Sequence, residues 1–340
     1  MPSTIDHTAF PFIIDRIILH AELDALLVIR ATSKELRDYI DAIVFSHVRL
    51  RDGPPGGYRG PPKRFALFPP RSTPRTALSA RHSLQCKTRL PFIAHAVKVL
   101  DIHDAGFSYV GGGDRDLPPA LMSAFTNVTT LRRLNWASVE LKCHAPFGAP
   151  VHTVVDDLNT GDHDICTEYH IQCIPGAKRH VAHLRWDQDL NQYCDLDVDV
   201  NKVPELEEFV LVLWPHSSGA RHGMRGQISQ ELYTLLHSLL PLAQRGGSIV
   251  VVGLEGVQED QIDPLYSSLS NMDDLRKIQP DPFLLGLFFV WTDYMGNDMT
   301  KLYKSITRLT LKQWHDTLSE SEKTLIGCRP MLTSYRNLPL

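Results

Sequence analysis

The chain has 340 residues, 43% of them apolar and 22% charged, and its 35 basic and 39 acidic side chains leave a net charge of −4. These values exclude wholesale disorder, make no electrostatic case for nucleic-acid binding, and set a length prior of roughly two domains. The longest strongly apolar stretch, residues 283–291, is nine residues, about half of what a spanning helix needs. The opening MPSTIDHTAF has no basic region before an apolar run, so no secretory signal is expected. The expectation is a soluble protein of the cytoplasm, the nucleus or both, with no membrane partner. Six cysteines scattered from Cys86 to Cys328 are too dispersed for a disulfide scaffold.

Residues 10–50 read as a set of short helices. Pro11 suits a first helical turn, where its missing N–H costs nothing, and Ile13, Ile14, Ile17 and Ile18 then share a face. Asp24 is the expected N-cap of a short helix that carries Leu26 and Leu27 inward. Thr32 and Glu35 have capping-box spacing, and the helix they open places Leu36, Tyr39, Ile40, Ile43 and Val44 on one stripe. Forty residues bury little, so these helices need a partner or the rest of the chain.

From Arg49 to Arg89 there are ten basic residues and one acid, Asp52. The middle of that segment, DGPPGGYRGPPKRFALFPPRSTPRT, holds seven prolines and four glycines, which leave no room for a continuous helix or a central strand. It reads as a linker or an extended strap. Its charge offers docking for an acidic partner or nucleic acid as the alternative, but aromatics for base stacking are few.

Beyond it, strands are expected at 97–102, 131–136, 151–158, 181–186, 206–214, 248–254 and 306–311, with helices at 119–125 and 228–242. Several spacings fall near the repeat length of leucine-rich solenoids, and residues 283–291 offer a further strand where the spacing is long. No strict consensus recurs, so the array is irregular.

The run Phe10-Pro11-Phe12-Ile13-Ile14-Asp15-Arg16-Ile17-Ile18, then Leu23-Asp24-Ala25-Leu26-Leu27, then Arg30 through Arg37 (RATSKELR) resembles an F-box. The wider sequence, with IDAIVFSHVRLR closing the module and ITRLTLKQWHDTLSESEK near the end, is similar to the F-box-like proteins of basidiomycete fungi. Ile13 stands where an acid is common in that family, and Leu36 where a bulky aromatic is common. The resemblance implies the substrate-receptor subunit of a cullin–RING (SCF) ubiquitin ligase. Its helices would bind a Skp-type adaptor, and through it a cullin, while its C-terminal domain takes a protein substrate. Phe10, Pro11, Ile14, Ile17, Leu23, Leu26, Leu27 and Leu36 would be the adaptor-facing or motif-supporting set.

Other chemistry is thin. His163, Cys166, His170 and Cys173 are four potential zinc ligands, but they lack the long loop between ligand pairs and alternate like a strand. Asp195, Asp197 and Asp199 share a strand face without the turning glycine of a calcium loop. The stretch SIVVVGLEG (248–256) resembles a strand entering a dinucleotide turn but has only Gly253 and Gly256 of the fingerprint. No catalytic residue, metal or cofactor is therefore expected.

The resulting expectation is an α+β protein: a three-helix F-box-like module over 1–50, a Pro/Gly-rich basic linker over 51–90, and an irregular α/β leucine-rich-repeat-like solenoid over 91–340. Trp136, Trp186 and Trp214, each ending an expected strand, are candidate substrate contacts, with capping of the repeat core as the alternative. A ligase-independent repeat scaffold and an α/β nucleotide-binding enzyme are the alternative functions.

Overall fold

The computed structural model describes residues 11–52, 65–68, 90–103, 123–136, 147–148, 150–159, 169–171, 173–185, 196–214, 235–236, 238–253 and 305–327. Two compact units divide the chain. One comprises Met1–Ile102, Ala120–Val128 and Phe147–Ala149, and the other holds the remaining residues. Residues 91–102, expected to open the repeat domain, therefore group with the N-terminal helices.

The first unit begins with three helices: α1 (Pro11–His20), α2 (Leu23–Arg30) and α3 (Lys34–Val44). Their core is Ile18, Leu26 and Ile40, with Ile14, Ile29, Leu36 and Val44 packed around it. Each such aliphatic side chain contributes about 1.5–3 kcal/mol when fully buried. The guanidinium of Arg30 grips the buried carboxylate of Asp41, tying α2 to α3.

Two helix starts differ from the sequence reading. Glu22, not Asp24, is the N-cap of α2, without a side-chain hydrogen bond, so Asp24 sits inside the first turn. Ser33, not Thr32, caps α3: its Oγ accepts from Leu36 N at 3.1 Å. The Thr32 hydroxyl instead donates to Ile29 O at 2.7 Å and helps close the preceding helix.

After α3 comes β1 (His47–Asp52), paired antiparallel with β2 (Phe65–Phe68) and parallel with β3 (Val99–His103), which follows α4 (Leu90–Ala96). β2 lies within the expected linker and hydrogen-bonds to β1 between flanking prolines, a position that costs no ladder donor. Asp101 of β3 is fully buried opposite Arg49 and bonds His47 Nε2 at 2.9 Å.

The second unit carries six parallel strands in the order β4 (Thr130–Trp136), β5 (Thr153–Asn159), β7 (Arg179–Arg185), β9 (Glu208–Trp214), β10 (Ser248–Val252) and β11 (Ile306–Leu309). The strands lie side by side in chain order, with no reversal. A separate short pair is formed by β6 (Tyr169–Ile171) and β8 (Leu196–Val198).

Register is set by one repeated device. The Thr129 carbonyl accepts from His152 and Thr153, that of His152 from Lys178 and Arg179, and that of Lys178 from Glu207 and Glu208. The Glu207 carbonyl then accepts from Ser248. Each strand thus enters the sheet from the same level. The central strands β9 and β10 are buried on both faces, as parallel strands require.

On one face, Leu131, Val154, His180, Phe209 and Ile249 form a row across five strands. On the other, Val155, Val181, Val210, Val212, Val250 and Val252 form an apolar plane. Two C-terminal helices, α6 (Leu311–Thr317) and α7 (Glu320–Glu322), and a π-helical turn over Lys323–Gly327 close that plane with Trp314, Leu318 and Ile326. Behind the sheet, α5 (Leu240–Gln244) is anchored by Arg245, which donates to the carbonyls of Val200 and Val203.

Candidate functional site

Every exposed large apolar side chain among the described residues lies in the first unit: Phe12, Ile13, Ile17, Leu19, Val28, Tyr39, Ile43 and Phe92. α1 is the extreme case. Its sequence PFIIDRIILH is apolar on nearly every side, yet only Ile18 is buried. Ile14 packs with Ile18 toward the core; Ile13 and Ile17 flank that face on one side, Phe12 and Leu19 on the other. Exposures of 66% for Phe12, 74% for Leu19 and 69% for Val28 are those of side chains standing in solvent. A helix apolar all round is stable in water only when something covers it. The Tyr39 hydroxyl is hydrogen-bonded to Asp15; that bond, then burial and the carboxylate's charge, push its pKa above 10.0 and link α3 to α1.

The residues singled out from the sequence divide by position. Pro11 opens α1, and Ile17 is half exposed on it. Ile14, Leu27 and Leu36 are half-buried, and Leu26, 7% exposed, belongs to the module's own core. Leu23 begins α2, and Phe10 lies outside the described residues. Of the tryptophans, Trp136 ends β4 and Trp214 ends β9, whereas Trp186 lies outside the described residues. Trp214, half-buried, donates its indole N–H to His183 Nδ1 at 2.8 Å, which requires that nitrogen to be unprotonated. The His183 ring stacks on Trp214 and meets Trp314 edge-on, each at 5.9 Å between centroids.

A second cluster, which sequence reasoning missed, is wholly interior. Arg133 of β4 forks onto both carboxylate oxygens of Asp156 of β5, and His180 Nε2 of β7 meets Asp156 Oδ2 at 2.8 Å. Cys173 Sγ lies 3.6 Å from His180 Nδ1. Burial alone would raise the Asp156 pKa, but the charges of Arg133 and His180 and their hydrogen bonds outweigh it and hold the carboxyl below 3.8. Thiol, imidazole and carboxylate stand in the contact order of a nucleophilic relay. Burial, however, pushes the Cys173 thiol up to about 12, so it stays protonated at neutral pH, and it is only 5% exposed.

His170 is in β6 and Asp197 in β8, while His163, Cys166 and Asp195 lie outside the described residues. Asp199 pairs with Lys202. Among the described residues no cluster of three or more His, Cys, Asp and Glu side chains is arranged to hold a metal. Gly253 turns the chain after β10 at φ 86°, where an added Cβ would overlap the Leu213 carbonyl oxygen, and its N–H donates to Leu309 O. The space that glycine leaves is filled by the protein's own backbone. Gly256 and residues 283–291 lie outside the described residues. No helix among the described residues is long and apolar enough to cross a membrane. Compared with protein-family models, curated proteins and solved structures, the chain matches none of them.

Proposed function

We propose that this chain is an F-box-type substrate receptor of a cullin–RING ubiquitin ligase, with the N-terminal helices docking a Skp-type adaptor and the C-terminal unit binding a protein substrate. The observation that carries this reading is the concentration of exposed large apolar side chains on the first unit, above all around α1. The resemblance of residues 10–37 to an F-box names the partner for that surface. A second unit whose parallel strands follow chain order, tied edge to edge by one repeated carbonyl device, suits a repeat-type binding domain. A dinucleotide-binding enzyme would place its ligand where the strand order reverses. No reversal occurs among β4, β5, β7, β9, β10 and β11, which favours the receptor over the nucleotide-binding alternative.

The test is co-purification of the full chain with a fungal Skp-type adaptor, beside an Ile17→Asp, Val28→Asp variant. Both positions are more than half exposed, so the free protein keeps its circular dichroism and melting point. Carboxylates buried against an apolar partner cost several kcal/mol, and the complex should be lost. A folded parent that does not bind the adaptor, or a variant that binds as well as the parent, refutes the reading.

A further inference from the structure

The C-terminal segment 306–327 crosses the second unit's strands from β11 toward β4. It starts in register with β10 as the edge strand β11. It then lays Trp314, Leu318 and Ile326 on the valine plane, pairs Glu322 with Arg179 of β7 at 3.0 Å, and offers the Leu325 carbonyl to Arg132 of β4. Trp314, Leu318 and Ile326 pack on the sheet and Glu322 pairs with Arg179, although the backbone is extended at Leu318 and Ser319 between α6 and α7.

Three observations separate this strap from the sheet beneath it. Its helices are short, seven and three residues, each held at its start by a capping box. Its side-chain ties to the sheet are only part-buried: the Glu322 side chain is 41% exposed, and the carboxyl is held below 4.5 by hydrogen bonds from Ser319 and then by Arg179. Its chief anchor, Trp314, is 2% exposed, yet its indole N–H has no acceptor among the described residues. Water would satisfy that donor whenever the strap lifts. The plane below needs no rearrangement to stay a surface, because valine side chains are stiff at χ1 and the backbone is fixed by parallel pairing.

We infer that the strap is a built-in pseudo-ligand, and that the valine plane with Arg179 is the docking face for a segment of a partner protein that presents an aromatic, two aliphatic and an acidic side chain as the strap does. The inference deepens the reading of the second unit as a protein-binding domain. Its test makes no use of the adaptor, so failure of docking here and failure of adaptor binding are separate results. Displacement is a local opening, in which short elements leave a buried sheet intact. It would expose an apolar patch of the kind that marks interaction sites.

Native-state hydrogen exchange on the full chain gives the first arm. Amides of 311–326 should exchange at least about 100-fold faster than those of β9 and β10, which are released only by larger opening. The second arm uses a fluorescent peptide of residues 305–327 and a full-length Leu318→Asp, Glu322→Lys variant. That variant should keep its circular dichroism and bind the peptide at least about tenfold more tightly than the parent, because its own strap no longer competes. The same peptide with Trp314→Ala should not bind. Strap amides that exchange together with β9 and β10, a variant that unfolds, or a folded variant that binds no better than the parent each overturn the inference. So does a dimer seen by light scattering in which two copies exchange straps, since the face would then serve self-assembly.

Discussion

Replacing Asp156 by asparagine keeps the shape of the side chain and removes its charge, taking from the Arg133 guanidinium, 1% exposed, the carboxylate it forks onto. Breaking a buried pair from one side typically costs about 3–5 kcal/mol, because the remaining charge has left water without compensation. For a unit of this size about 2–4 °C of Tm is lost per kcal/mol, so Asp156→Asn should melt roughly 6–20 °C lower. Urea unfolding followed by far-UV circular dichroism at pH 7 measures the same loss directly. The double variant Arg133→Met, Asp156→Leu should be less destabilised than Asp156→Asn alone, since the buried guanidinium is removed together with its carboxylate.

The pH dependence has a definite sign. Although burial alone would raise it, the Asp156 pKa is held below 3.8 by Arg133 and His180. A carboxyl with a lower pKa folded than unfolded stabilises fully above its unfolded value and loses that contribution as pH falls through the folded one. The gap between parent and Asp156→Asn should therefore shrink on acidification below the ordinary 3.8. A loss under about 1 kcal/mol at pH 7, or a gap unchanged down to roughly pH 3, would refute the buried network.

Ser33→Ala should destabilise the helical module by about 1 kcal/mol in urea melts, and Thr32→Ala by less, because Ser33 holds the Leu36 amide; the reverse order would return the cap to Thr32. Gly246 and Gly253 both have φ near +86°, but only at Gly253 would a Cβ meet backbone. Gly246→Ala should cost about 1–2 kcal/mol for left-handed backbone alone, and Gly253→Ala clearly more. Equal costs would place the Leu213 carbonyl elsewhere. Cys173, enclosed and with its pKa pushed up to about 12, should resist iodoacetamide at pH 8 in the folded protein and react in denaturant, as peptide mapping would show. Labelling at the rate of a free thiol would contradict its burial.

The strands were legible where burial on both faces leaves a continuous apolar run. The expected segments 206–214 and 248–254 correspond to β9 and β10, whose interior positions are all buried. β1 escaped notice because HVRLRD alternates charge into the interior, and the carboxylate that accommodates it, Asp101, arrives from β3. The Arg133–Asp156–His180 cluster was illegible for the same reason: its members come from three strands, 23 and 24 residues apart, and meet only once register is set. The one signal was charge within otherwise apolar runs, arginine in LRRL and aspartate in TVVDDL. The helical stripe of α3 was read correctly as apolar, but periodicity does not say what covers it: Ile40 is in the core while Tyr39 and Ile43 are exposed. Trp214 stood out as a strand end, yet its partner His183 comes from β7, and the Trp314 that meets His183 edge-on arrives only with the C-terminal strap.

The repeated carbonyl device at Thr129, His152, Lys178 and Glu207 bears on how such a chain can change over generations. Strand starts from β4 to β10 are separated by 23, 26, 29 and 40 residues, yet each strand enters at the same level. Loop-closure entropy grows only with the logarithm of length, so lengthening a connection from 16 residues (137–152) to 33 (215–247) costs about 0.6 kcal/mol. In loop-closure entropy, a longer connection is therefore nearly neutral for the sheet, and the spacing between strands can change while the carbonyl at each entry point keeps the ladder in register.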